Sequence, residues 1–164
     1  MKIVVFSDAH GDKLAVLSII RNNLTADMLI SLGDSELPNS FLQENDIIAI
    51  KGNYPLDAGF VYEKLITVGK KRIFLTHGHK YNVRRGVDKL YYKALETEAD
   101  IVLYGHTHIP KTDKVNNILI INPGSIYKPR NFDNPTYLRI EIENGVINYK
   151  YIDLASHNVA SKQY

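Results

Sequence analysis

Five short apolar runs in this chain end the same way. Ile3 to Phe6 leads into Ser7-Asp8-Ala9-His10, Met28 to Leu32 into Gly33-Asp34, and Ile47 to Ile50 into Gly52-Asn53. Ile73 to Thr76 then leads into His77-Gly78-His79, and Ile101 to Tyr104 into Gly105-His106-Thr107-His108. Runs of this length, bounded by polar and glycine residues, read as buried strands. Leu14, Leu17, Ile20, Arg21 and Leu24 follow the first run at helical spacing, and Val87, Leu90, Tyr91, Ala94 and Leu95 mark a helix to about Glu96. Strands that alternate with helices build an α/β sheet, and in open sheets of that kind ligands collect beyond the carboxyl ends of the strands. The five polar groups are therefore expected on one rim.

The rest of the chain is mostly β. Phe60 to Val68 alternates like a half-exposed strand, Asn116-Asn117 and Asn144-Gly145 read as hairpin turns, and Asn122-Pro123-Gly124-Ser125 reads as a tight turn. Lys70-Lys71-Arg72 reads as a solvated turn and the polar tail from Ser156 as a fraying end. No repeat, low-complexity stretch or linker interrupts the sequence. Residues 1–164 are expected to form a single mixed α/β domain, with the later strands extending the first sheet or making a second.

The donor types on the rim suit a metal. Five of the six histidines lie in these groups, and only His157 lies outside. Carboxylate, imidazole and amide oxygen together suit first-row divalent ions, manganese first, with zinc, iron, nickel or cobalt as alternatives. In Asp8-x-His10 and His106-x-His108, alternate residues of an extended segment point the same way, so each pair can converge on one cavity. Any one of these motifs alone is more often an ordinary turn. Five in this order, each after an apolar run, argue for a metal site.

Composition narrows the alternatives. The chain has no cysteine, which excludes disulfides and thiolate metal sites and fits a reducing cytoplasm. A net charge of +2 with no long basic run gives no strong nucleic-acid-binding patch. No run approaches the length of a membrane span, and the apolar start is too short for a signal peptide. Tyrosine and phenylalanine on the surface could support a homo-oligomer.

The ordered set Asp8-x-His10, Gly33-Asp34, Gly52-Asn53, His77-Gly78 and Gly105-His106-x-His108 resembles the calcineurin-like metallophosphoesterases. Thr76 to His79, His106 to Pro110 and Asn122 to Ser125 look like the small YfcE-like phosphodiesterase branch in particular. The resemblance implies a four-layer α-β-β-α sandwich with two mixed sheets. It also implies two divalent ions, one held by Asp8, His10, Asp34 and His108 and the other by Asp34, Asn53, His77 and His106, with Asp34 between them. A hydroxide bridging the ions would attack the phosphorus of a small phosphate ester, most simply a diester. Phosphomonoesterase and nuclease activities lie within the same reading. A non-catalytic scaffold of the same fold, like the small retromer subunit of eukaryotes, is the alternative from another class. The complete ligand set argues against it.

One position departs from the family pattern. The residue after the Gly-Asn asparagine, often a histidine placed to help the leaving group, is Tyr54, and the next carboxylate is Asp57. His79 and Tyr54 are the remaining candidates for contact with substrate, His79 also reading as a structural neighbour of the site. Asp12 reads as a helix cap or as a partner of a ligand imidazole. Arg84 and Arg85 read as phosphate contacts or as solvated loop residues.

Overall fold

In the computed structural model, described over residues 1–57, 59–130, 134–161 and 164, alternate residues of each inner strand go to different cores. Ile3 and Val5 of β1 (Lys2–Phe6) join Ile30, Leu75, Leu103 and Leu138 in a core between two sheets. Val4 and Phe6 face the other way, onto Val16 and Ile19 of α1 (Lys13–Arg21) and onto Phe41 and Leu42 of α2 (Asn39–Glu44). This alternation follows from the two-residue period of a strand.

The first sheet runs β10-β9-β1-β2-β3, where β2 is Met28–Ser31, β3 Ile47–Ala49, β9 Thr136–Glu143 and β10 Val146–Asp153. The second runs β4-β5-β6-β8-β7, with β4 Glu63–Val68, β5 Lys71–Thr76, β6 Ile101–Leu103, β7 Pro110–Val115 and β8 Ile118–Pro123. Both sheets are mixed. β1, β2 and β3 are parallel, as are β5, β6 and β8, while β9, β10, β4 and β7 pair antiparallel. Leu90 and Ala94 of α3 (Asp88–Thr97) pack on Phe74, Val102 and Ile120 from the outer side of the second sheet. The layers are α-β-β-α, as expected. The five strands that lead into the rim groups are all parallel strands, so their carboxyl ends share one edge of the sandwich.

Several local expectations need correction. The buried stripe of α1 is Ala15, Val16 and Ile19, whereas Leu14 is 78% exposed and Leu24, beyond the helix, 81%. Apolar residues occur on several sides of this helix, so periodicity alone could not choose the face. The run Phe60 to Val68 becomes a strand only from Glu63. Helix α2 has no strong apolar period to mark it in the sequence. Lys71 and Arg72 lie in β5 rather than in a turn, with Lys71 paired to Asp100 at 2.8 Å and Arg72 to Glu98 at 2.6 Å.

The described part of the tail docks rather than frays. His157 accepts or donates at both ring nitrogens, to the Ser18 hydroxyl at 2.8 Å and the Tyr137 hydroxyl at 3.1 Å. Val159 makes a bridge to Ile152, and the Tyr164 ring lies 5.0 Å from that of Tyr151. His157 thus fastens the chain end to α1 and β9. No helix among the described residues is long and apolar enough to cross a membrane.

Candidate metal centre

The site begins with backbone pairing that continues past the strand ends. Asp8 N–H donates to Gly33 O, His10 N–H to Asp34 O and Gly11 N–H to Ser35 O, so the loops after β1 and β2 run side by side. Asp8, His10, Asp34, His106 and His108 all have left-handed backbones, with φ of 54°, 43°, 46°, 69° and 61°. The two His-containing pairs therefore converge through turns, not through an extended segment as their spacing suggested.

Two donor groups result. Ligand atoms of Asp8, His10 and His108 lie within 4.8 Å of one another, and so do those of Asp8, Asp34 and His77. Asp8 is fully buried. Its Oδ2 accepts from the His106 N–H at 3.1 Å. Its Oδ1 lies 3.2 Å from His108 Nε2 and 3.9 Å from His77 Nε2 but has no hydrogen-bond partner. Asp34 Oδ1 accepts from the Tyr54 N–H at 2.8 Å, which leaves Oδ2 3.4 Å from His77 Nε2. Asn53 Oδ1 lies 2.9 Å from His106 Nδ1 and 3.2 Å from His77 Nε2, joining His106 to the second group.

The tautomers make these groups a demand for positive charge. His77 Nδ1 donates to the Leu32 carbonyl at 2.7 Å and His108 Nδ1 to the Lys128 carbonyl at 2.7 Å. His10 Nδ1 is held by Glu36 Oε1 at 2.7 Å. With Nδ1 so engaged, each Nε2 turns its lone pair inward. His10 Nε2 then faces His108 Nε2 at 3.3 Å, and His77 and His108 face carboxylate oxygens. Lone pairs in such contact require a proton or a metal cation between them. The acid–base balance agrees. Burial would push the Asp8 carboxyl up, but the His108 and His77 imidazoles hold it below its ordinary value. Burial likewise opposes ionisation of Asp34, and His77 and the Tyr54 amide bring it down to about 2. His77 and His108 are raised against their burial by these carboxylates. A buried carboxylate with a free oxygen and imidazoles with fixed inward lone pairs fit divalent cations, and three of those imidazoles carry the outer hydrogen bond typical of metal ligands.

The supports of the site were largely hidden from the sequence. Glu36, not Asp12, orients an imidazole; the Asp12 side chain caps α1 by accepting from the Ala15 N–H at 2.9 Å. Asp57 is buried, with its Oδ2 lacking a hydrogen-bond partner among the described residues, and is pushed up by burial and by Asp34 and Glu36. The expected turn Asn122 to Ser125 is a brace. Asn122 Nδ2 donates to Gly105 O at 2.7 Å and the Ser125 hydroxyl to Asp8 O at 2.8 Å. A Cβ on Gly105 would overlap the Ser7 hydroxyl, which explains why glycine precedes His106.

A cleft of about 470 Å³ opens over these groups, lined by His10, Asp34, Glu36, Asn53, His106 and His108. Its outer wall adds Arg84, Tyr127, Lys128 and Arg130. Burial, then His77 and Arg84, bring His106 down to about 4. His79 is not in this lining. Its ring stands 5.4 Å from His77 and 6.1 Å from His106, against Tyr62 at 5.7 Å, and burial lowers its pKa. Tyr54 reaches the site through its backbone amide.

Residues 1–145 match the family model of the calcineurin-like phosphoesterase superfamily domain. The chain belongs to that superfamily. It is 32% identical over 164 residues to the "Probable metallophosphoesterase YsnB" of Bacillus subtilis, covering 99% of this chain and 97% of the relative. It is 30% identical over 168 residues to the "Phosphodiesterase YfcE" of Escherichia coli K12, with 84% and 85% covered. Among solved structures, a conserved uncharacterized protein and predicted phosphoesterase from Streptococcus pneumoniae TIGR4 superposes with a TM-score of 0.88 at 37% identity, covering 98% of this chain and 92% of the other. The resemblance read in the sequence is therefore a family membership, and the two mixed sheets are the fold of this calcineurin-like group.

Proposed function

We propose that this chain is a dinuclear metal-dependent phosphodiesterase. The observation that carries the reading is the pair of donor groups, sharing Asp8 and fixed in tautomer, at the floor of a cleft with a cationic wall. On the family pattern, Asp8, His10, Asp34 and His108 would hold one ion and Asp34, Asn53, His77 and His106 the other, which makes Asp34 the shared ligand where the donor groups by distance share Asp8. When bound, the ions supply charge neutralisation at the phosphate and a water acidified toward neutrality. The protein's own work is positional. Glu36 and the backbone carbonyls of Leu32 and Lys128 keep the imidazoles aimed inward. Arg84, Lys128 and Arg130 meet the non-bridging oxygens of the ester, and guanidinium forks suit a phosphate's geometry. Asn53 presents its amide between the second group and the substrate.

Tyr54 follows Asn53 where the family pattern often has a histidine, and its side chain offers no strong proton donor. His79 lies beside the rings of His77 and His106 and outside the lining of the cleft. We infer that aryl diesters, whose leaving groups need no proton, react much faster than alkyl diesters. Manganese is the first metal to try, then zinc, iron, nickel and cobalt, because availability decides among them as much as affinity. The same reading treats residues 1–164 as one domain working in the reducing cytoplasm. Exposed Val61, Tyr62 and Leu65, on and just before β4, support a homo-oligomer, which light scattering tests.

The deciding experiment assays bis(4-nitrophenyl) phosphate with each metal, for the native chain and for Asp34→Asn. The expected result is metal-dependent turnover, two ions per chain by elemental analysis, and loss of turnover by at least about a hundredfold in the variant. Absence of turnover with every metal would return the chain to the scaffold reading. Full activity of Asp34→Asn at saturating metal would remove Asp34 from its place between the ions.

A further inference from the structure

Beside the cleft over the metal ligands lies a second one of about 450 Å³, and the two share a wall made of Arg84 and Arg130. The second cleft is lined further by Arg85 and Lys111 and by apolar surface from Val83, Tyr104 and Ile109. None of its lining residues is an acid. Some cations of this protein have carboxylate partners, among them Lys71 with Asp100, Arg72 with Glu98 and Lys93 with Glu96. In the second cleft only Lys111 has one, Asp113 at 2.8 Å. Among the described residues no carboxylate pairs with Arg84, Arg85 or Arg130.

Three guanidinium groups on one concave wall, without a carboxylate partner among the described residues, repel each other. The repulsion is relieved when an anion sits among them, and a concave, partly apolar wall strengthens that attraction relative to open water. The backbone keeps the arginines in place. Arg130 N–H donates to His108 O at 3.1 Å, which ties the residue to the loop that carries a proposed ligand, and Arg85 N–H donates to Asn82 O at 2.9 Å. A simple diester fills only the first cleft. Its phosphate would engage the faces of Arg84 and Arg130 that look toward the ligands and leave Arg85 and the far side empty.

We propose that the second cleft is a subsite for a second phosphoryl group, so that the substrate is a phosphodiester carrying another phosphate next to the scissile one, as in a short phosphorylated oligonucleotide. The apolar strip of Val83, Tyr104 and Ile109 then lies along the organic part that joins the two phosphates. Three arginines are a better match to phosphate than to carboxylate, because the planar fork meets two phosphate oxygens at once. This inference rests on the phosphodiesterase reading and adds the substrate class to it.

The test compares the dinucleotide TpT with pTpT and TpTp, in the metal-loaded native protein and in Arg85→Gln and Arg85→Gln/Lys111→Gln. Arg85 and Lys111 line only the second cleft. At least one phosphorylated dinucleotide should exceed TpT in kcat/KM by about tenfold or more, the size expected of a charge-assisted contact. Most of that advantage should disappear in the variants. Equal rates for all three dinucleotides, or an advantage that survives both variants, would overturn the subsite. If bis(4-nitrophenyl) phosphate itself is not hydrolysed, the phosphodiesterase reading fails instead, and the subsite is judged by calorimetry on the metal-free protein. Thymidine 3′,5′-bisphosphate should then bind at least about tenfold more tightly than thymidine 5′-monophosphate, and equal affinities would overturn it.

Discussion

Gly52-Asn53 and Asn144-Gly145 both follow a strand with a glycine and an asparagine, yet a methyl group added at the glycine overlaps Asp34 in one and meets nothing within 4 Å in the other. At Asn144-Gly145 the conformation is local. Both residues have positive φ, 51° and 80°, because the twist of β9 and β10 demands a turn of that hand. At Gly52 the glycine is needed because another loop passes through the space its side chain would fill. The contrast extends to the whole rim, where Asp8, His10, Asp34, His106 and His108 hold left-handed conformations without being glycine. Such residues cost about 1–3 kcal/mol each and persist only where the surroundings hold them. Here the holders are the amide pairing between the β1 and β2 loops and the Ser125 hydroxyl on Asp8 O. The turn is specified by two residues; the rim is specified by contacts across the fold.

Gly52→Ala tests this contrast with the largest effect. The new Cβ would collide with Asp34 Oδ1 and with the Asp34 backbone nitrogen, which is not a flexible group that can give way. Displacing a catalytic carboxylate by about 1 Å costs on the order of a hundredfold in rate, and overpacking typically costs a further 1–3 kcal/mol, roughly, of stability. Turnover of bis(4-nitrophenyl) phosphate and thermal melting measure the two parts. Retention of more than a tenth of the native rate would mean that the two loops move apart without harm.

Glu36→Gln acts on the rim without touching a ligand atom. The substitution keeps the shape but removes the charge that holds His10 Nδ1. Loss of such an outer partner typically lowers metal affinity about 10–100-fold. The activity curve against metal concentration should shift to higher metal by that factor, while the rate at saturating metal stays near native. A lowered plateau with an unshifted midpoint would show that Glu36 acts on substrate and not through His10.

These residues also mark how far the sequence could be read. The five strands that carry the rim groups, and the gathering of their polar ends on one edge, were legible because apolar runs and polar strand ends are local signals. Glu36 was not, because its role exists only through contact with His10, a residue 26 positions away. Asn122 and Ser125 read as a turn, since a turn is all their neighbours in sequence reveal, while Gly105 and Asp8 lie 17 and 117 positions away. The convergence of Asp8 with His10 was expected for the wrong reason, because period-two logic stops where the strand stops. The second cleft escaped notice because Arg84, Arg85, Lys111 and Arg130 come together only when β7 and the loops after β5 and β8 pack.

Gly145→Ala is the control at the local end of the comparison. The new Cβ has open space, so the cost is only that of an L-residue in a left-handed conformation, about 1–2 kcal/mol. The melting temperature should fall by roughly 2–8 °C, and turnover measured well below that temperature should be native. A loss of activity comparable to that of Gly52→Ala would show that the hairpin communicates with the rim.

The smallest effect belongs to His157, which is neither in a turn nor on the rim but is also held by contacts far away in sequence. Burial, with help from the Arg139 guanidinium, lowers its pKa, and Asp153 opposes this only in part. A lowered folded pKa means that the unfolded chain binds the proton more readily. Stability from this residue is therefore fully present above its unfolded value and is lost as pH falls through the window between the unfolded and folded values. In the folded chain the two ring nitrogens meet the Ser18 and Tyr137 hydroxyls at 2.8 and 3.1 Å, and burial there disfavours the charged ring. The histidines of the proposed metal centre are shifted as well, His106 down and His77 and His108 up, so native stability alone cannot isolate the effect. Denaturant melts at several pH values between 5 and 8, for the native chain and for His157→Gln, subtract them. The glutamine keeps a donor and an acceptor and does not titrate. The native advantage should shrink as the pH falls below 6.5, the ordinary value of an imidazole. A difference that stays constant across the series would mean that the tail is held by Val159 and Tyr164 and that the ring of His157 adds no stability of its own.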